Sequence, residues 1–302
     1  MNYTLKQLRY FVTVAEHQSV TKAADALHVS QPAISSAIAQ LETIFDLQLL
    51  IRHQAKGVDL TSAGRAFVVK ARQLLIHADE LSAESSELGE SLSGGLDIGC
   101  FVTLAPFFLP AILRQTNLQY PDINVTMHEG AMDTLRHHLL DGTCEIVLLY
   151  ELDLDERIES EVMANIPPYA LLAKDHPLAQ SNMVSLKDLV HEPMILIDLP
   201  HSREYFRSLF LQLGIEPRIQ HRTRSYELIR GMVANSHGYS LLNLRPAVNT
   251  TYDGAEVVCV QIKEKLEPLQ VCLGWYRGIR FTRRAQAFAE VCRQYFSEHA
   301  KS

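Results

Sequence analysis

The stretch SVTKAADALHVSQPAISSAIAQLE, residues 19–42, decides the fold of the amino-terminal part of this chain. Apolar residues recur in it at helical spacing in two runs, first Val20, Ala23, Ala24 and Leu27, then Ile34, Ile38 and Leu41. Between the runs, Ser30 can cap a helix through its hydroxyl, and Pro32 falls in the first turn, where its missing N–H is not needed. The stretch therefore predicts two short helices joined by a tight turn.

The outward face of the second predicted helix is polar and almost uncharged. Such a face fits base edges in the major groove of DNA. Gln can reach an adenine edge, Ser can donate or accept a hydrogen bond, and Pro can touch a thymine methyl group. The alternative, a helix pair packed inside an enzyme, would not need polar residues at every outward site. We therefore expect these residues to contact double-stranded DNA: Thr21, Lys22, Ser30, Gln31, Pro32, Ser35, Ser36 and Gln40.

The pattern S-x-T-K-A-A-x-x-L-x-x-S-Q-P-A-I-S-x-x-I-x-x-L-E resembles the helix-turn-helix of LysR-type transcriptional regulators, and the likeness continues at Arg52 and over Leu60–Gly64. Agreement without gaps over so many positions is a specific signal, unlike a lone short motif. The family usually has Leu-Gly where this chain has Phe45-Asp46, and Leu-Phe where it has Leu49-Leu50. Asp tolerates a left-handed turn and Leu still fills a core site, so the predicted fold stands.

The resemblance implies a multi-domain α/β protein. We expect a winged helix-turn-helix DNA-binding domain over residues 1–58, a linker and dimerisation helix over 59–92, and an effector-binding domain over 93–302. The effector domain is expected to resemble periplasmic binding proteins, with lobe I over 93–164 and 268–302 and lobe II over 165–267. A chain of 302 residues is long enough for two or three such domains.

Composition limits the class of protein. The five cysteines lie far apart without a CxxC pair, which suits a reducing cytoplasm and argues against a disulfide framework or a metal site. No run of about 18 apolar residues and no signal-peptide pattern occurs, so we predict a cytoplasmic protein with no membrane partner and no cofactor. Residues 1–58 carry a net charge of +1 and the remainder −8, so the acidic bulk should lie away from DNA.

A predicted β-wing follows the helices. Ile51–Val58 suggests two short strands around a polar tip, where Arg52 and Lys56 would reach phosphates or the minor groove. The alternative is an ordinary solvated hairpin.

Thr61 is expected to cap a long helix that runs to about Leu92. A heptad seam within it favours pairing with a second copy, although packing along the second domain is the alternative; the seam is Phe67, Ala71, Leu74, Ala78, Leu81, Ser85 and Leu88. The residues Ser91–Gly95 are predicted to form a hinge.

From Leu96 onward, short apolar strands alternate with amphipathic helices, which predicts parallel-sheet α/β units. The chain should cross between two such lobes near Asn165–Pro168 and again near Glu267–Pro268. Two lobes joined by two crossings make a hinged clamp.

An effector should bind between the lobes, where strands end and helices begin, because free N–H groups at helix starts favour small anions. Thr103 and Ser202 are the best anchors, although each hydroxyl can also simply cap its helix. Aromatic residues can flank an aromatic ligand or lie in the core, and the arginines can pair on the surface. The candidate effector residues are Phe101, Val102, Thr103, Glu129, Gly130, Tyr150, Pro200, His201, Ser202, Arg203, Arg224 and Tyr226.

Three classes of function compete. A solute-binding protein would have no use for residues 1–92, and an α/β enzyme should show a nucleophile elbow, P-loop or GxGxxG, none of which occurs. The third class, a regulator, is the prediction; a constitutive regulator without ligand is its variant. The resemblance implies these partners: a promoter inverted repeat, a small-molecule effector such as a carboxylate, a second copy through the linker helix, a homotetramer, and RNA polymerase. Relatives that sense oxidants use a cysteine pair in lobe II, where this chain has only Cys259.

Overall fold

The computed structural model describes residues 3–53, 57–86 and 92–299, with side chains described for all of these except 80–86. Its amino-terminal elements are α1 (Leu5–His17), α2 (Val20–Ala26), α3 (Gln31–Phe45), β1 (Leu50–His53), β2 (Gly57–Leu60) and α4 (Ser62–Ser86). The two predicted helices are confirmed as α2 and α3, and the predicted wing as the antiparallel pair β1–β2. The polar tip of the wing lies outside the described residues.

The start of α3 differs from the sequence prediction. Ser30 holds the N-cap position with an extended backbone, but its hydroxyl makes no capping hydrogen bond. Pro32 has no N–H to give, and the N–H of Ala33 donates to the Ser30 carbonyl oxygen at 3.0 Å instead. At the other end of α3, Asp46 adopts the expected left-handed conformation, with φ of 52°. Thr61 caps α4 as predicted, its hydroxyl accepting from the Gly64 N–H at 2.9 Å.

One apolar core holds the helix-turn-helix together. Its most buried members include these residues of α1, α3 and the first half of α4: Leu8, Phe11, Val14, Ile34, Ile38, Leu41, Val68 and Val69. The apolar side chains of Leu5, Ile44 and Leu47 do not lie in this core, because each exposes more than a third of its surface.

The predicted seam positions of the long helix α4 lie in two different environments. Phe67 and Ala71 lie in or against the core of the helix-turn-helix, so the first positions of the predicted heptad seam are covered within the chain. Leu74 is 38% exposed and remains available to a partner helix. The seam positions Leu81, Ser85 and Leu88 lie outside the residues whose side chains are described.

The lobe I sheet contains five strands in the order β4-β3-β5-β13-β6. Its elements are β3 (Gly94–Phe101), α5 (Ala105–Gln119), β4 (Ile123–Gly130), α6 (Met132–Leu140), β5 (Ile146–Tyr150), β6 (Ile158–Ile166), β13 (Leu269–Tyr276) and α10 (Arg283–His299). The α/β architecture is as predicted, but one strand departs from the expected parallel arrangement: β13 runs antiparallel to both neighbours, because the chain re-enters the lobe at the end where β6 leaves it. The predicted hinge glycines Gly94 and Gly95 are the first residues of β3 and pair with β4.

Lobe II is also mixed. Its elements are β7 (Tyr169–Ala173), β8 (Met183–Val184), α7 (Leu186–Leu189), β9 (Pro193–Ile197), α8 (Ser202–Leu211), β10 (Arg218–Thr223), α9 (Tyr226–Ala234), β11 (Ser240–Leu242) and β12 (Val257–Ile262). Four strands form a sheet in the order β11-β7-β12-β8, and β9 and β10 form a parallel pair. The chain crosses between the sheets from β6 to β7 and from β12 to β13, at the two places the prolines predicted.

No helix within the described residues combines the length and the apolar character that a bilayer span requires.

Candidate DNA interface and effector cleft

The predicted DNA-contacting residues of the helix-turn-helix are accessible to solvent. All are exposed except Ser35, which is half-buried: Thr21 and Lys22 on α2, Ser30 before α3, and Gln31, Pro32, Ser35, Ser36 and Gln40 on α3. Because the Ser30 hydroxyl does not cap α3, it is free to bond a phosphate. Gln40 is partly committed, since its Oε1 accepts from Gln7 Nε2 on α1 at 2.7 Å.

The wing contributes one described cation to the same region. Arg52 is exposed on β1, opposite Val58 of β2. Lys56 lies outside the described residues. Phosphate contact needs only an exposed cation within reach of the backbone, and Arg52 meets that condition.

A narrow cleft with a cavity volume of about 20 Å³ lies between the two lobes. It brings together four of the predicted effector residues, Thr103 and Tyr150 from lobe I and Ser202 and Tyr226 from lobe II. The remaining lining residues were not predicted: Ile197, Phe206, Leu242, Asn243, Leu244 and Leu269. Most of these are apolar, which is why their sequence positions looked like ordinary core.

The hydroxyl groups of the cleft are ordered by hydrogen bonds. Thr103 Oγ1 lies 3.2 Å from Tyr150 Oη, within lobe I. Tyr226 Oη donates to the carbonyl oxygen of Leu244 at 2.6 Å, and Tyr169 Oη donates to the same oxygen at 2.7 Å. Burial raises the pKa of Tyr150, and burial raises the pKa of Tyr226 to about 12, so both phenols stay protonated at neutral pH. The cleft therefore offers neutral hydrogen-bonding groups over an apolar floor.

Asn243 connects the cleft to both crossings between the lobes. Its Nδ2 donates to the Ile166 carbonyl oxygen at 2.8 Å and to Tyr205 Oη at 3.2 Å. Tyr205 Oη donates in turn to the Glu267 carbonyl oxygen at 2.9 Å. The sequence signal for this residue, a single amide within the apolar run LLNL, was present but is too weak to mark a site.

The other predicted effector residues lie near the cleft but do not line it. Phe101 is fully buried and packs edge-on against Tyr150, with ring centroids 5.1 Å apart. The carbonyl oxygen of Gly130 accepts a hydrogen bond from the Val102 N–H, and the Pro200 carbonyl oxygen accepts one from the Ser202 N–H at 2.8 Å. Glu129 is exposed on β4. These residues lie at strand ends and helix starts and are not among the residues that line the cleft.

His201 borders a neighbouring recess. Its backbone takes a positive φ of 64° at the start of α8, a conformation that costs energy in a residue other than Gly. Its two ring nitrogens lie 3.8 Å from an Asp133 carboxylate oxygen and 3.9 Å from one of Asp153. Both aspartates belong to lobe I, so His201 bridges the lobes beside the cleft.

The predicted arginines are placed elsewhere. Arg203 pairs with Asp198 at 3.0 Å and with Glu204 at 3.1 Å, and Arg224 is exposed after β10. Among the described residues that line the cleft, none is cationic. An anionic group would therefore have to be held by hydroxyls and helix starts.

Within the described part of the chain, no three His, Cys, Asp or Glu side chains are placed to share a metal ion. All five cysteines are free thiols.

Comparison with known families places these two regions in one protein type. Residues 5–65 match the family model for a bacterial regulatory helix-turn-helix protein of the lysR family, and residues 89–297 match the LysR substrate binding domain. The chain belongs to the LysR family of transcriptional regulators. It is a DNA-binding transcriptional regulator with an effector-binding domain, and not an enzyme.

Several individual proteins are similar to this chain. The HTH-type transcriptional regulator YvbU of Bacillus subtilis is 34% identical over 215 residues, 70% of this chain and 71% of YvbU. The dual regulator OxyR of Escherichia coli K12 is 31% identical over 239 residues, 79% of this chain and 78% of OxyR. The crystal structure of HinK, a LysR family regulator from Pseudomonas aeruginosa, has a TM-score of 0.68 at 39% identity, covering 99% of this chain and all of HinK.

Proposed function

We propose that a small organic acid binds in the cleft between the lobes and changes the geometry in which paired copies of this regulator sit on DNA. The observation that carries the proposal is the meeting of hydroxyl groups from both lobes, Thr103 and Tyr150 from one and Ser202 and Tyr226 from the other. A ligand that bonds to both sides stabilises the closed arrangement of the clamp. Differential binding of this kind shifts the population between two shapes.

The acid is held without a cationic side chain. Thr103 lies just before α5 and Ser202 is the first residue of α8, so the positive ends of two helix dipoles lie near the cleft. Helix starts and hydroxyls bind a carboxylate while leaving the pocket uncharged. The apolar side chains of Phe206 and Leu242 then cover the hydrocarbon part of the ligand.

DNA recognition is assigned to α3. Gln31, Ser35 and Ser36 read base edges, and Lys22 and Arg52 hold phosphates, with Lys56 assigned to the same task from the sequence alone. Two copies joined through the exposed side of α4 place two α3 helices on an inverted repeat. Effector domains then join dimers into a tetramer in the cytoplasm, and a change in DNA bend alters contact with RNA polymerase.

Peroxide is not the proposed effector, although similar proteins are named hydrogen peroxide-inducible genes activators. A reversible disulfide switch within lobe II needs two cysteines there, and the sequence over 165–267 contains only Cys259. Burial raises the pKa of the Cys259 thiol, which lowers the fraction of reactive thiolate.

Footprinting of the full chain on a DNA site that it selects from random duplexes tests the switching step. The probes are benzoate, 3-hydroxybenzoate, L-lactate and succinate, and binding is first detected as a rise in Tm. We expect at least one probe to raise Tm and to alter the footprint. Thr103→Val should abolish both effects, while Thr126→Val, an exposed threonine on β4 of the same lobe, should preserve them. A Tm rise that survives Thr103→Val unchanged contradicts the proposed site.

A further inference from the structure

The hydrogen bonds of Asn243 use the nitrogen of its amide and leave the oxygen unpaired. A carbonyl oxygen only accepts, so the amide nitrogen must face Ile166, and its second proton is used by Tyr205. The oxygen Oδ1 therefore lies on the opposite side. Asn243 is only 6% exposed, and no donor among the described residues reaches that oxygen.

A buried acceptor without a donor is unusual. Most buried polar atoms in folded proteins are hydrogen-bonded, because an unpaired one has lost its water without compensation. Asn243 also lines the cleft that holds Thr103 and Ser202. The residue that carries the unpaired oxygen thus belongs to the site where a ligand is expected.

We propose that Asn243 Oδ1 is an effector contact and that it selects acids which also carry a hydroxyl or amino group. The inference rests on the proposed function, since it requires the effector to lie in the cleft. An O–H or N–H of the ligand donates to Oδ1 and completes the bonding of the amide. A methyl group at that position leaves Oδ1 unpaired, and a carbonyl or carboxylate oxygen brings a second acceptor against it.

The same amide links the selected group to the hinge. Ile166 ends β6 at one crossing, and Glu267 precedes β13 at the other. Asn243 bonds the carbonyl oxygen of Ile166 directly, and it reaches that of Glu267 through Tyr205. A donor bound at Oδ1 polarises the amide and strengthens both bonds on its nitrogen side. The contact that selects the ligand therefore also stiffens the segments about which the lobes move.

Matched acids of nearly equal size test the selection on the full chain by calorimetric titration. L-lactate, L-alanine and isobutyrate differ only in a hydroxyl, an ammonium or a methyl group beside the carboxylate, and 3-hydroxybenzoate and 3-methylbenzoate repeat the comparison on a ring. We expect a donor-bearing acid to bind about tenfold or more tightly than its methyl counterpart. Equal affinities within both sets would mean that a water molecule satisfies Oδ1, and they overturn the inference.

Substitution of Asn243 tests whether this residue causes the discrimination between the acids. Asn243→Leu should bring the paired acids to the same affinity, whereas Asn235→Leu should leave the ratio unchanged, because Asn235 is exposed and bonds Gly231 and Asp253 on the outer side of α9. Discrimination that persists in a folded Asn243→Leu protein overturns the inference. If that variant does not fold, the comparison of acids on the unsubstituted chain decides. Failure of every acid in the two sets to bind counts against the proposed function itself.

Discussion

Arg72 on α4 bonds Glu16 on α1, with Nη2 lying 3.0 Å from the Glu16 carboxylate. Its other nitrogen, Nη1, lies 3.1 Å from Thr143 Oγ1 and 3.4 Å from the Asp141 carboxylate, both in the loop after α6. One largely buried guanidinium thus joins the linker helix, the helix-turn-helix and lobe I. Gly142, with φ of 74°, lets that loop approach α4 closely, since a Cβ there would touch Arg72 and Val69.

We expect Arg72→Gln to lower the free energy of unfolding by about 1–3 kcal/mol, because it removes hydrogen bonds to charged groups that are partly shielded from water. The matched control is Arg9→Gln. Arg9 pairs with Asp79 between well-exposed side chains, and such pairs contribute about 0–1 kcal/mol. Urea unfolding midpoints of the two variants measure the difference. Equal losses would show that the Arg72 contacts do not hold the domains together.

Base readout by α3 predicts a loss of specificity when Gln31 is replaced. Gln31→Ala should weaken binding to the selected site by about 1–3 kcal/mol and leave binding to scrambled DNA nearly unchanged. Arg52→Ala should instead weaken both and reduce the salt dependence of binding, since a phosphate contact carries no sequence information. Competition gel shifts at two salt concentrations distinguish the two. Equal loss on both DNAs for Gln31→Ala would remove it from base readout.

The elements were predictable because each is encoded by local periodicity. From Leu96 onward the predicted alternation of short strands and amphipathic helices is confirmed, and both crossings are marked by Pro. The strand directions were not predictable, since a strand that re-enters a sheet has the same apolar pattern in either orientation. The sequence therefore located β13 but could not show that it runs antiparallel.

The contacts that define the cleft were harder to predict from the sequence. Thr103 and Ser202 were found because they stand at helix starts, which is a local signal. Asn243 meets Ile166 across 77 residues of sequence, and Arg72 meets Asp141 across 69. No spacing rule links residues so far apart, so a lone polar residue in an apolar stretch identifies neither its partner nor its role. Arg203 does not line the cleft, and it pairs with the carboxylates of Asp198 and Glu204.

The loop between β5 and β6 should weaken in acid. The Arg157 side chain bonds Asp155 and lowers the pKa of that carboxyl to about 2. A carboxyl whose pKa is lower in the folded state stabilises the fold above its unfolded pKa, and that stabilisation is lost as pH falls towards 2. Asp155→Asn should therefore lower Tm at pH 7, and the difference from the unsubstituted chain should shrink below about pH 4. Glu156→Gln, an exposed neighbour, serves as the control; a pH-independent difference would contradict the assignment.

Peroxide should leave this regulator's DNA complex unchanged. Cys259 is the one cysteine in 165–267, and burial raises the pKa of its thiol. The other cysteines are buried, and burial raises the pKa of Cys144 and Cys272 to about 12, so little thiolate forms at pH 7. We expect the same footprint before and after hydrogen peroxide, and the same footprint for Cys259→Ser; unfolded chain, whose thiols are exposed, should be oxidised in the same mass-spectrometric assay. A peroxide-dependent footprint that Cys259→Ser abolishes would make Cys259 a sensor and exclude a purely organic effector.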